Sequence, residues 1–132
     1  VFDHCAPDYL EKAIAQTERG GFGVILEMLA NVNLGKDLPA LVKKGRVVII
    51  GSRGRVEINP RDAMSRDAAI LGMVFSNTDP NETKEIYTGI GRGLENGTLR
   101  PVVGKEFPLA QAAQAHESVM QPGAYGKIVL IP

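Results

Sequence analysis

The stretch GVILEMLANVNLGKDLPALVKKGRVVIIGSRG, Gly23 to Gly54, alternates apolar runs too short for helices with a segment of helical period. Gly23 to Met28 and Arg46 to Ile50 are nearly continuous apolar runs rich in β-branched residues. Such runs suit parallel strands covered on both faces. Between them Leu34, Leu38, Leu41 and Val42 recur at helical spacing, so the stretch is read as strand, helix, strand. A right-handed crossover makes its two strands parallel neighbours or nearly so. Open parallel sheets place ligands outside the carboxyl ends of their strands. Here those ends are Ala30 to Asn33 and Gly51 to Gly54, where polar and glycine residues replace the apolar run.

Outward from this unit, the 132 residues suffice for one domain with a core, at an ordinary apolar fraction. Lys plus Arg and Asp plus Glu balance at 15 each, so no net field recommends a nucleic acid or an anionic membrane as partner. The single cysteine, Cys5, cannot close an internal disulfide and lacks the ligand neighbours of a zinc site, which favours a reducing, cytoplasmic setting. No stretch reaches the apolar length of a membrane span. Val1 to His4 begins mid-pattern, and the chain reads as a piece of a longer protein.

Val1-Phe2 is read as the stub of a strand, with Asp3-His4 at its polar end. A helix is expected after Pro7, capped by Asp8 with Glu11 completing a capping box. Arg61 to Arg66 should be a short helix, and Ala69 to Phe75 a third apolar strand. Asp79-Pro80-Asn81-Glu82 opens a helix running to about Asn96. Gly89, Gly91 and Gly93 weaken it by up to roughly 1 kcal/mol each relative to alanine, so packing must hold it. Pro101 to Gly104 is read as a short strand. In the next helix Leu109, Ala112, Ala113, His116, Val119 and Met120 are expected on one face, and Gly126 to Ile131 is the last strand. Alternating strands and helices of this kind indicate an α/β fold.

Gly51-Ser52-Arg53-Gly54 after a buried strand could offer backbone amides and a guanidinium to a nucleotide, or be a plain turn. Asn31 and Asn33 at the matching end of the neighbouring strand could bond a ribose or carboxamide, although asparagine is also a turn former. His4 could face a phosphate or ribose; a surface histidine is the bland alternative. His116 on an inner helix face suits packing better than catalysis. Glu27 interrupts an apolar strand, and a buried carboxylate needs hydrogen bonds or a cation, so structural pairing is expected. There is no GxGxxG: Gly21-Phe22-Gly23 is followed by Leu26, and Gly91-Arg92-Gly93 by Asn96, where the third glycine should stand. A Ser-His-Asp set, a zinc-ligand cluster and a P-loop are missing as well.

EMLANVNL (27–34), GRVVIIGSRG (45–54), EINPRDAM (57–64) and the closing PVVGKEFPLAQAAQAHESV (101–119) with GKIVLIP (126–132) resemble the C-terminal part of the zeta-crystallin-like NADPH:quinone oxidoreductases, of the medium-chain dehydrogenase/reductase superfamily. The resemblance covers essentially the whole chain. It implies a partial Rossmann-type parallel sheet over residues 1–100, a cofactor domain lacking its first two strands, with the phosphate loop upstream of Val1. Residues 101–132 would be the strand, helix and strand that return to the catalytic domain. The implied NADP(H) contacts fall on His4 near the adenosine end, and on Asn33 and the Ile50, Gly51, Ser52, Arg53 turn near the nicotinamide half. A quinone substrate is implied and a catalytic zinc is not; no catalytic residue is assigned. The resemblance also implies a homodimer, with the uncharged run Ala69 to Phe75 as an outer strand pairing antiparallel with its two-fold copy. Two alternatives stay open: an enoyl or alkenal reductase of the same superfamily, and a non-catalytic nucleotide-binding or structural crystallin-like protein.

Overall fold

In a computed structural model, which describes residues 1–123 and 125–132, the Gly23 to Gly54 stretch forms strand β1 (Phe22–Glu27), helix α2 (Ala30–Ala40) and strand β2 (Leu41–Ile49). It is preceded by helix α1 (Tyr9–Ala15) and followed by α3 (Pro60–Met64) and strand β3 (Ala69–Gly72). The chain's internal contacts divide it into two units, Val1–Asn77 and Thr78–Pro132. The first is a three-stranded sheet in the order β1-β2-β3, both pairings parallel. The α/β class and the parallel sheet are as expected.

The boundaries differ in instructive places. Leu41 and Val42, assigned by period to the helix, open β2 instead, because Pro39 in the last turn of α2 supplies no N–H and the chain turns extended at Leu41. Between Leu41, which pairs with Phe22, and Arg46, which pairs with Val24, the strand bulges. The bulge is tight: Lys44 takes a φ of 62°, and a Cβ on Gly45 would stand 2.9 Å from the Val42 carbonyl oxygen. Arg66 closes this corner, donating to the carbonyls of Pro39 (2.8 Å), Leu41 (3.0 Å) and Asp62 (3.2 Å). No strand is assigned at Val1-Phe2. Asp8 precedes α1 without capping it, since its carboxylate pairs with Lys12 at 2.8 Å. Of the seven residues expected in β3 only Ala69–Gly72 are strand; Met73 N–H still reaches the Ile49 carbonyl (2.9 Å), and Phe75–Asn77 is a 3₁₀ turn.

Leu38 and Val47 are fully buried and, with Ala30, Leu34 and Leu41, form a core that Ile25, Ile49, Ile58, Ala63 and Ala68 flank. Coverage on both faces of the sheet is not observed. Val24, Leu26 and Met28, on the other face of β1, are 46%, 62% and 61% exposed, because α2 covers only the side of Ile25 and Glu27.

One polar pair shares the core side. Glu27 and Asp37 are the buried charged side chains among the described residues. Asp37 lies on the buried face of α2, three residues after Leu34. No N–H or O–H group donates to its Oδ2, and its neighbouring acid is Glu27, to which a protonated Asp37 would hydrogen-bond. Burial first, then this hydrogen bond and the negative charge of Glu27, push the Asp37 carboxyl from its ordinary 3.8 up to about 7.

In the second unit α4 (Pro80–Glu95) begins with the expected capping box: Asp79 Oδ1 accepts from Asn81 N–H (2.7 Å) and Glu82 N–H (3.0 Å), and Glu82 accepts from Asp79 N–H (3.1 Å). Gly93 has a packing reason, since a Cβ there would come within 2.8 Å of the Leu99 side chain. Yet α4 buries no residue among those described, so the packing expected to hold it is not within this unit. Strands β4 (Val103–Pro108) and β5 (Lys127–Ile131) pair parallel, joined through α5 (Ala112–Val119). The strand expected at Pro101 to Gly104 thus lies two residues later. The buried side of α5 is centred on Ala115 rather than on His116, which is exposed along with Leu109, Val119 and Met120. Among the described residues no helix is long and apolar enough to cross a membrane.

Two stability measurements check this core. Leu38→Ala should cost about 3 kcal/mol in denaturant unfolding, whereas Leu109→Ala should cost under about 0.5 kcal/mol. Asp37 binds its proton more tightly folded than unfolded, so its contribution to stability is greatest at acid pH, declines between about pH 4 and 7, and is flat above. Asp37→Asn, which keeps a donor toward Glu27 and cannot ionise, should therefore melt at about the wild-type temperature at pH 5 and several degrees higher at pH 8.

Candidate functional site

The carboxyl ends of β1 and β2 are joined by backbone. Ile50 N–H and Gly51 N–H both donate to the Glu27 carbonyl, at 2.8 and 3.1 Å, and the Gly51 carbonyl accepts from Ala30 N–H at 2.9 Å. The turn after β2 is thereby bound to the last residue of β1 and the first of α2. Gly51 is required by this approach, since a Cβ there would collide with the Met28 carbonyl, whose carbon lies at 3.0 Å. Beyond it, Ser52 Oγ donates to the Gly54 carbonyl (3.1 Å), and Arg53 N–H donates to Asn31 Oδ1 (2.9 Å). The side-chain amide of Asn31 is thus used to fasten the turn.

The side chain of Glu27 acts on the same place. Its Oε1 accepts from Leu29 N–H and, at 3.2 Å, from Asn33 Nδ2. Helix α2 has no side-chain cap, and Asn33, in its first turn, is held from below by the strand. The structural pairing expected for Glu27 is therefore observed, with partners that belong to the candidate site. Sequence reasoning missed Asp37. The available signal was its place on the helical stripe of Leu34 and Leu38, where an acid would be buried.

Asn33, Ile50, Gly51, Ser52 and Arg53 are brought to one edge of the sheet. No hydrogen bond or ion pair involves the Arg53 guanidinium or Asn33 Oδ1 among the described residues, and Ser52 and Arg53 are exposed. A carboxamide, a hydroxyl and a guanidinium set at neighbouring strand ends suit an anionic, many-handed ligand such as a dinucleotide. They include no paired nucleophile and base. His4 is not hydrogen-bonded to this group; its Nε2 lies 3.7 Å from Cys5 Sγ.

The ligand atoms of Asp3, His4 and Cys5 lie within 4.8 Å of one another, the one such set among the described residues. The three are consecutive and fully exposed, and Asp3 Oδ1 is engaged by Cys5 N–H at 2.9 Å. A resident zinc requires ligands fixed from behind in a shielded cavity, and this trio does not fit one.

A family described as "Zinc-binding dehydrogenase" matches residues 2–130. The quinone oxidoreductase of Homo sapiens is 41% identical over 132 residues, and that of Sus scrofa 44%; each match takes in 99% of this chain and 40% of the relative. The chain thus spans 40% of the length of these curated relatives. Among solved structures, an NAD-dependent alcohol dehydrogenase aligns with a TM-score of 0.83 at 25% identity, over 99% of this chain and 37% of that one. The quinone oxidoreductase of Thermus thermophilus, solved also in complex with NADPH, aligns with a TM-score of 0.74 at 30% identity, over 95% of this chain and 40% of its own. With the parallel sheet and the glycine turn at its edge, the match along nearly the entire sequence shows that the chain belongs to the zinc-binding dehydrogenase family.

Proposed function

We propose that the chain is the cofactor-domain portion of an NADPH-dependent quinone reductase, with residues 1–100 in the cofactor domain and 101–132 returning to the catalytic domain. The observation that carries this reading is the fastened turn Ile50 to Arg53 beside Asn33. Relatives called quinone oxidoreductase, and the NADPH complex of the Thermus protein, support it. In this reading Asn33 and the turn meet the nicotinamide half of the cofactor, and His4 meets the adenosine end. NADPH, when bound, supplies the two electrons that reduce the quinone. The chain's own work is positional: Asn33 and Ser52 offer hydrogen bonds, and Arg53 offers a cation. A cytoplasmic setting suits the free, exposed Cys5 thiol.

Self-association through the Ala69 to Phe75 stretch belongs to the same proposal. In the structure β3 is an edge, and Ala69–Gly72 are all exposed. An apolar edge without charge or proline invites antiparallel pairing with a second copy.

Calorimetric titration of the full-length protein with NADPH should show Asn33→Ala and Arg53→Ala weakening binding roughly tenfold each, or about 1.4 kcal/mol, with the melting temperature unchanged in Arg53→Ala and lowered in Asn33→Ala, which takes a donor from the buried Glu27 carboxyl. His4→Ala should reduce the preference for NADPH over NADH; equal use of both cofactors by the wild type would count against a basic contact at that end. In light scattering Ile70→Lys should move a dimer toward monomer, and a wild-type monomer at all concentrations would refute the pairing.

A further inference from the structure

Glu27 occupies an unusual position for a buried acid. Its backbone carbonyl gathers Ile50 N–H and Gly51 N–H, and its carboxylate gathers Leu29 N–H and Asn33 Nδ2. The first pair of bonds would survive any substitution; the second depends on the side chain. Glu27 is 6% exposed and Asp37, its acidic neighbour, 8%. Burial and the charge of Glu27 raise the Asp37 carboxyl. Glu27 Oε1 is the acceptor that faces Leu29 and Asn33.

We infer that Glu27 is a positioning residue that sets the Asn33 carboxamide for the cofactor. The inference rests on the cofactor reading above and deepens it. Asn33 has one carboxamide and two ends. Bonding Nδ2 to Glu27 fixes the plane of the amide and leaves Oδ1 as the acceptor presented to a ligand, which suits the carboxamide N–H₂ of a nicotinamide. Without the acceptor at Glu27 the amide is free to rotate about its side-chain torsions, and binding must then order it. The bond to Leu29 N–H serves the same end, since Leu29 is the residue from which α2 starts.

The full-length protein tests this with Glu27→Gln, which keeps an acceptor for Leu29 and Asn33 and gains a donor for Asp37, and Glu27→Leu, which keeps the volume alone. Two readouts are needed. In the ligand-free protein, hydrogen exchange should show the Leu29 amide losing protection in Glu27→Leu and keeping it in Glu27→Gln. In steady-state kinetics Glu27→Leu should raise KM for NADPH about tenfold with kcat changed less than about twofold, and Glu27→Gln should restore KM to within about twofold. A purely structural role would lower stability and kcat without this split. Unaltered KM in Glu27→Leu, or a loss in Glu27→Gln as large as in Glu27→Leu, overturns the inference. Should Glu27→Leu be too unstable to assay, Asn33→Asp, which puts an oxygen where Nδ2 donates, must reproduce the KM effect, and wild-type KM in that variant overturns the inference too. If Asn33→Ala leaves NADPH affinity unchanged, the cofactor reading and the inference fall together. If Asn33→Ala weakens binding and Glu27→Leu does not, only the inference falls.

Discussion

A single carbonyl oxygen, that of Glu27, takes two N–H groups from the chain leaving β2, and the candidate site depends on that convergence. It draws the turn so close to β1 that residue 51 has no room for a side chain against Met28. It also sets Gly51 where its own carbonyl meets the first N–H of α2. The strand, the turn and the helix start are thereby one hydrogen-bonded object, and polar side chains attached to it inherit its rigidity. That is what a parallel sheet offers at its carboxyl edge: fixed backbone on which unused polar groups can be held open.

Much of this was legible in the residues. The β-branched runs and the helical spacing between them gave the βαβ unit, and the change to glycine and asparagine marked the edge of the sheet. Periodicity failed at Leu41 and Val42, because a helix and a bulged strand bury apolar residues alike, and only Pro39 distinguished them. It failed again on α5, where alanine is so frequent that more than one face reads as apolar and the buried one is centred on Ala115. Site residues were legible through resemblance more than through spacing. The link between Asn33 and Glu27 spans six residues across a strand end and a helix start, and no local pattern announces it. Asp37 was hidden for the opposite reason: a surface-type residue on a core stripe looks like noise until its partner is seen.

The two faces of the sheet tell of different obligations. One is closed by α2 with a conventional apolar cluster. The other shows Val24, Leu26 and Met28 to solvent, an apolar strip that a stable soluble assembly would cover.

The raised carboxyl of Asp37 also changes how the molecule looks from outside. Counted from its sequence the chain is electrically neutral, with 15 acids against 15 lysines and arginines. Folded, and below about pH 7, one of those acids keeps its proton, so the chain carries one more positive charge than the count gives. Between about pH 4 and 7 the proton held by this one buried acid moves the charge of the folded chain toward positive relative to the unfolded chain. Neutrality is a property of the sequence here, and the folded surface does not share it.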